Sequence, residues 1–270
     1  MNRASLGRVT STSHGPSVVG SASIWVLGRV AGPAREATVT HSGPHVVFLD
    51  FEGAALAILG ARAIQMPFGV RTLMPELPVL DKGTVGQVQD GVVRVGELQV
   101  LVTNIVDTTV PVLSAEATAW GREHLRPLVG DRVAEFEAQL PSESLTALGD
   151  ADPAAVAGLL GVGPGLSPLG DDTLAGFLAT SVAIRHPRHS DIRSEVALNA
   201  FDRTTLVAAT LLACAARGEA VPEFRSFVSG VAAHNPDVVS QSLDLMLEIG
   251  GHSGAGFVIG AMRAFDSVDA

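Results

Sequence analysis

Cysteine is almost missing from this chain: Cys214 is the single one in 270 residues. No intrachain disulfide can form and no Cys-rich zinc site exists, a usage that suits a reducing cytoplasm. Positive charge is also scarce. Lys and Arg number 18 against 28 Asp and Glu, giving a formal net charge of -10 and a pI near 5.2. No run of five basic residues occurs. A phosphate-backbone partner needs a basic face, so nucleic acid is excluded as a ligand. Long apolar runs are absent as well. The longest, at 174–184 and 206–216, have the length of buried core helices rather than of bilayer spans. Behind Arg3 no continuous apolar segment follows, which speaks against a signal peptide and against a membrane partner.

Charged residues make up only 17% of the chain and apolar ones 47%, so most of it packs rather than solvates. The length suffices for one sizeable domain or two small ones. The pattern changes near residue 113. Residues 1–112 are valine-rich and punctuated by glycine, with strand composition at 17–30, 36–40, 45–51 and 85–106. Asp90-Gly91, between two valine-rich segments, predicts a tight hairpin, because such turns need positive φ. A short helix fits 54–63. From Ser114 onward the period becomes 3.6. Ser114 caps one helix to about Leu128 and Asp131 another to about Leu140; further helices fit 172–184, 191–202, 204–217 and 253–265. Asp152-Pro153, Val221-Pro222 and Asn235-Pro236 read as helix starts with proline at the first position. The fold class expected is α+β: a β-rich part (1–112), meander or barrel-like, packed on a helical bundle (113–270).

What is present in excess is a loop. Gly161-Val162-Gly163-Pro164-Gly165-Leu166-Ser167-Pro168-Leu169-Gly170-Asp171-Asp172 joins two apolar helical stretches. Glycine costs chain entropy on folding and is used where backbone must approach closely or take positive φ. The loop is either a ligand site, with free N–H groups converging on an anion at a helix start, or a tight helix–helix joint. It is neither a Walker A loop nor a dinucleotide fingerprint. One of Asp171 and Asp172 serves as the helix N-cap, which leaves the other to hold Mg²⁺ or a substrate amide. A second break, Gly250-Gly251-His252-Ser253-Gly254, offers an imidazole and a hydroxyl, or simply a cap. Adjacent Ser and His without a Gly-x-Ser-x-Gly elbow do not fit a hydrolase. Arg203-Thr204-Thr205 suits a phosphate or carboxylate, or is a cap alone. His186 and His189 flank Pro187 in a polar connector and read as solvated; Cys214 reads as a small core residue.

Together and in this order, these motifs resemble the AllH family, named for a subunit of oxamate carbamoyltransferase. The run at 161–172 is similar to that family's Gly-x-Gly-x-Gly-Leu-Thr-Pro-Ser-Gly-Asp-Asp signature. Arg203-Thr204-Thr205, the 249–260 stretch with His252-Ser253-Gly254, and Met66-Pro67-Phe68-Gly69-Val70 fit the same pattern, so that the resemblance spans essentially the whole chain. Leu169 stands where that signature has serine, and Gly256 where an aspartate is expected.

The resemblance implies a bacterial cytoplasmic protein of allantoin and purine catabolism, working with partner subunits on carbamoyl phosphate and oxamate. It implies a catalytic set of Asp171, Asp172 and His252. The ligand-binding set is Gly163, Gly165, Ser167, Gly170, Arg203, Thr204, Thr205, Ser253 and Gly254, with Mg²⁺ on Asp171 and Asp172 if a metal is used. The rival expectation is a non-catalytic accessory or regulatory subunit that binds a metabolite. Alanine- and leucine-rich helices suit a homo-oligomer.

Overall fold

The computed structural model describes residues 17–268; the reading of the N-terminus around Arg3 falls outside them. Eight strands form a closed barrel: β1 (Ser17–Ala22), β2 (Arg35–Ser42), β3 (Val46–Phe51), β4 (Ala54–Leu59), β5 (Gly69–Thr72), β6 (Val85–Gln89), β7 (Val92–Val95) and β8 (Leu98–Ile105). Their order is β1-β5-β4-β3-β2-β6-β7-β8, with β8 returning to β1. Neighbours are antiparallel except β1–β8 and β4–β5. The Asp90-Gly91 hairpin is present: both residues have positive φ, at 48° and 81°, and Gln89 pairs with Val92 across it.

Val39, Val47, Leu49, Leu56, Ile58, Val70, Val93 and Val100 fill the barrel, and Val26 and Val30 of α1 (Ile24–Val30) join them. Ser23 accepts a hydrogen bond from Val26 N–H and caps that helix. The 17–30 stretch is therefore half strand and half helix, because a serine in mid-run supplies the cap. The opposite correction applies at 54–63. Ala54–Leu59 is strand β4, and five of its six residues are buried. One face points into the barrel while Ala55, Ala57 and Leu59 pack on the helices. A strand covered on both faces loses its alternation and imitates a helix in sequence.

Among the described residues nine further helices follow: α2 (Ala115–Glu137), α3 (Ser142–Gly149), α4 (Ala154–Leu159), α5 (Leu169–Ala183), α6 (His189–Arg203), α7 (Leu206–Ala215), α8 (Pro222–Ala232), α9 (Pro236–Leu247) and α10 (Ser253–Asp266). The two helices expected over 114–140 are one, α2, capped by Ser114 and carrying Pro127 within it. Val221-Pro222 and Asn235-Pro236 open α8 and α9 as expected. His186 and His189 are not solvated. His186 is buried against Ser267, and His189 pairs with the Ser181 hydroxyl and the Ala216 carbonyl.

Helix α5 is the centre of the bundle, with every residue but Val182 buried. It lies against α10 at backbone contact. A methyl group on Gly176 would collide with Phe257 O, and one on Gly260 with Thr173 O. Glycine here permits close approach of the two helices, which larger residues would prevent. The helices meet the barrel through Thr210 on α7, whose Oγ1 accepts the Ala55 N–H at 2.8 Å. This junction of α5, α7, α10 and the β4–β5 connection holds the candidate site. Among the described residues no helix is long and apolar enough to cross a membrane.

Candidate functional site

The glycine loop links α4 to α5. Gly161 and Gly163 have φ of 75° and 115°, and both are crowded. A Cβ on Gly161 would lie 2.8 Å from Arg203 O, and one on Gly163 2.9 Å from Leu169 N. Gly165 faces open space. Gly170 donates its N–H to Val162 O at 2.8 Å, and a side chain there would strike Leu159 O. Much of the glycine content therefore serves the joint, while the 163–166 tip is exposed.

Helix α5 begins at Leu169 with Pro168 in the cap position. Neither aspartate is the N-cap; each stands one turn further in, free for other bonds. Asp171 uses both oxygens. Oδ1 accepts the Gly161 N–H at 2.9 Å, and Oδ2 accepts the Thr204 hydroxyl. Burial pushes its carboxyl above the usual range, and these two hydrogen bonds oppose that shift. Thr205 caps α7 by accepting from Ala208 N–H at 3.0 Å while its hydroxyl donates to Leu166 O. Thr204 and Thr205 thus clasp the glycine loop to the start of α7. Arg203 turns its guanidinium to Ala157 O at 2.7 Å.

Asp172 is different. Its side chain is wholly buried, Oδ1 accepts the Ser167 hydroxyl at 2.5 Å, and Oδ2 has no hydrogen-bond partner. Burial pushes its carboxyl up to about 7. The Ser167 hydroxyl pulls it down, as does the nearby Ser253 hydroxyl, which makes no bond of good geometry to it; Asp171 adds a smaller upward push. Half-buried His252 shares a hydrogen bond with Ser167 O at 3.2 Å and ties the start of α10 to the same loop.

Asp172, Ser167 and Ser253 form the polar end of a cavity of about 80 Å³. The rest of its wall is Ile64, Met66, Phe68, Val207, Leu211, Val221, Met246, Ile249, Gly254 and Phe257. No lining residue is cationic. At about 24 cal/mol per Å³, an unfilled apolar hollow of this size costs on the order of 2 kcal/mol. Of the residues singled out in sequence, Ser167, Asp172, Ser253 and Gly254 line it, and His252 adjoins it. Asp171, Thr204 and Thr205 brace it from behind. Gly163, Gly165, Gly170 and Arg203 do not reach it. The apolar wall outside 66–68 carried no local signal: its residues look like any core positions and come from three helices (α7, α9 and α10), two connections between helices and the β4–β5 connection.

One free carboxylate oxygen is a poor cage for Mg²⁺, which takes six oxygen ligands. Asp171 has none to spare, and no group of three acidic, His or Cys side chains that could hold a metal occurs among the described residues. The residues present do not fit a directly held cation.

Residues 159–265 match the family model described as oxamate carbamoyltransferase subunit AllH. The resemblance read from the motifs holds over that span, which contains the glycine loop, both aspartates, Arg203-Thr204-Thr205 and His252-Ser253-Gly254. The barrel and its 66–70 segment lie outside the matched span. No curated protein and no solved structure matches the chain.

Proposed function

We propose that this chain is a subunit of a carbamoyltransferase of the oxamate type, acting in the cytoplasm, and that Asp172 receives the amide head of the carbamoyl acceptor. One observation carries the reading: Asp172, which lines the cavity, has a wholly buried carboxyl oxygen without a partner. Such an orphaned acceptor costs free energy unless something donates to it. A primary amide is a neutral donor of suitable size, and the Ser253 hydroxyl supplies a donor for its carbonyl, the Ser167 proton being held by Asp172 Oδ1.

In the transfer, the amide nitrogen bonds to the carbamoyl carbon of carbamoyl phosphate. The carbon–oxygen bond to phosphate breaks, phosphate leaves with the electron pair, and one nitrogen proton passes to Asp172 Oδ2. A carboxyl with its pKa near 7 is suited to that proton, being substantially ionised at neutral pH and still basic. Holding the amide fixed supplies much of the remaining acceleration. The cavity offers no cation for phosphate. On this reading the phosphate lies outside it, at the exposed 163–166 amides or against a partner subunit, as the subunit name of the matched family suggests.

A second reading is an accessory subunit that binds the amide without transferring to it. It is favoured by Asp172 being the one ionisable side chain on the cavity wall. A thermal-shift series on the purified chain tests the common core. Primary amides, oxamate among them, should raise the Tm of wild type by several degrees near a hundredfold excess over Kd and leave Asp172→Asn unmoved. No shift in wild type, or an equal shift in the variant, overturns both readings. Carbamoyl transfer by wild type, lost in Asp172→Asn with amide binding tested separately, favours the enzyme over the accessory.

A further inference from the structure

The cavity is more apolar than oxamate requires. Beyond its polar end, its wall includes Ile64, Met66, Phe68, Val207, Leu211 and Phe257. Oxamate consists of a carboxamide joined to a carboxylate and presents no aliphatic surface. Its charge placed among these side chains would be buried without a counter-ion, an arrangement that desolvation penalises strongly. Kept outside, that charge would leave the inner cavity empty. An apolar cavity of about 150 Å³ accommodates benzene, so 80 Å³ takes about three to four heavy atoms in all, a carboxamide head and about one carbon beyond it.

We infer that the acceptor this chain binds is a primary carboxamide carrying a short aliphatic arm of about one carbon. The head lies on Asp172 Oδ2, between Ser167 and Ser253, and the arm lies among Ile64, Phe68 and Leu211. The inference rests on the amide-binding reading of Asp172 and adds the substrate class to it. The barrel takes part in the choice. Ile64, Met66 and Phe68 come from the β4–β5 connection and Val207 and Leu211 from α7, so the pocket exists only where the strand part meets the helices.

The test is a titration of the full chain with formamide, acetamide, propionamide, isobutyramide and oxamate, with ethylamine as a charged control. A buried carbon should tighten binding about fourfold, so that acetamide exceeds formamide by about that factor and also exceeds oxamate, while propionamide and isobutyramide outgrow the cavity and bind less well. Val207→Phe should fill the arm space and level the series. Leu211→Ala should enlarge it and move the preference to longer amides, which keeps the test open if the phenylalanine variant fails to fold. A flat series with binding still lost in Asp172→Asn overturns the arm and leaves the amide head standing. Tighter binding of ethylamine than of acetamide overturns the carboxamide. No amide binding at all overturns this inference together with the reading beneath it.

Discussion

Gly256 on α10 lies directly against Asp172 on α5: a methyl group at position 256 would stand 2.7 Å from Asp172 Cβ and 3.0 Å from Leu169 O. The aspartate expected at 256 from the family pattern has no room here. The glycine lets the two helices meet at the point where Asp172 must be held, so packing and site geometry are set by one contact.

Gly256→Ala should therefore destabilise the fold by about 1–3 kcal/mol through overpacking and weaken any ligand held by Asp172. Gly260→Ala, whose methyl would meet backbone at Thr173 O rather than a movable side chain, should be the more damaging. Gly165→Ala meets no neighbour and should cost only about 1 kcal/mol, from its φ of 95°. Urea unfolding of the three variants gives the order.

The raised pKa of Asp172 fixes the sign of a pH dependence. Below about pH 4 the carboxyl is protonated in both folded and unfolded chains and contributes nothing. Between about 4 and 7 the unfolded chain releases the proton while the folded chain keeps it, so stability falls as pH rises, and the loss levels off above 7. The full effect is on the order of 4 kcal/mol. Asp172→Asn should remove this slope and be the more stable protein at pH 8. Denaturation at a series of pH values measures it.

Asp171 should behave as a brace. Asp171→Ala removes the acceptor of the Gly161 N–H and the Thr204 hydroxyl, at about 1–2 kcal/mol for part-buried hydrogen bonds. Thr204→Val should cost less. A double-mutant cycle between the two should show coupling of about 1 kcal/mol or more, because they share a hydrogen bond.

Cys214 is fully buried, and burial pushes its thiol up to about 12. A native chain should leave Ellman's reagent uncoloured at pH 8 and react with one equivalent once unfolded. Prompt reaction of the native protein would show that α7 opens.

The division into strands and helices was legible because its signals are local: the Asp90-Gly91 turn, Ser114, Val221-Pro222 and Asn235-Pro236 act through neighbouring residues. The barrel's closure was not, since β1 finds β8 across most of the strand region. At the site, Ser167, Asp172 and Ser253 stood out as polar residues at glycine-rich helix starts. The separate fates of Asp171 and Asp172 were hidden, because which carboxyl meets Thr204 and which meets the cavity depends on α7 and α10. Leu211 and Val207 were hidden more completely: a cavity wall and a filled core use the same side chains.

Parallel pairing of β1 with β8 also sets an order of events. Ser17 and Gln99 are 82 residues apart in the chain, and β1's other partner, β5, begins only at Gly69. The earliest described strand to leave the ribosome is thus among the last to be paired on both edges. Contacts of such separation slow folding, since the intervening chain must be ordered first. Until Ile105 has emerged, Ser17–Ala22 has one open edge, and the nascent chain in that interval is the form most exposed to strand-to-strand association.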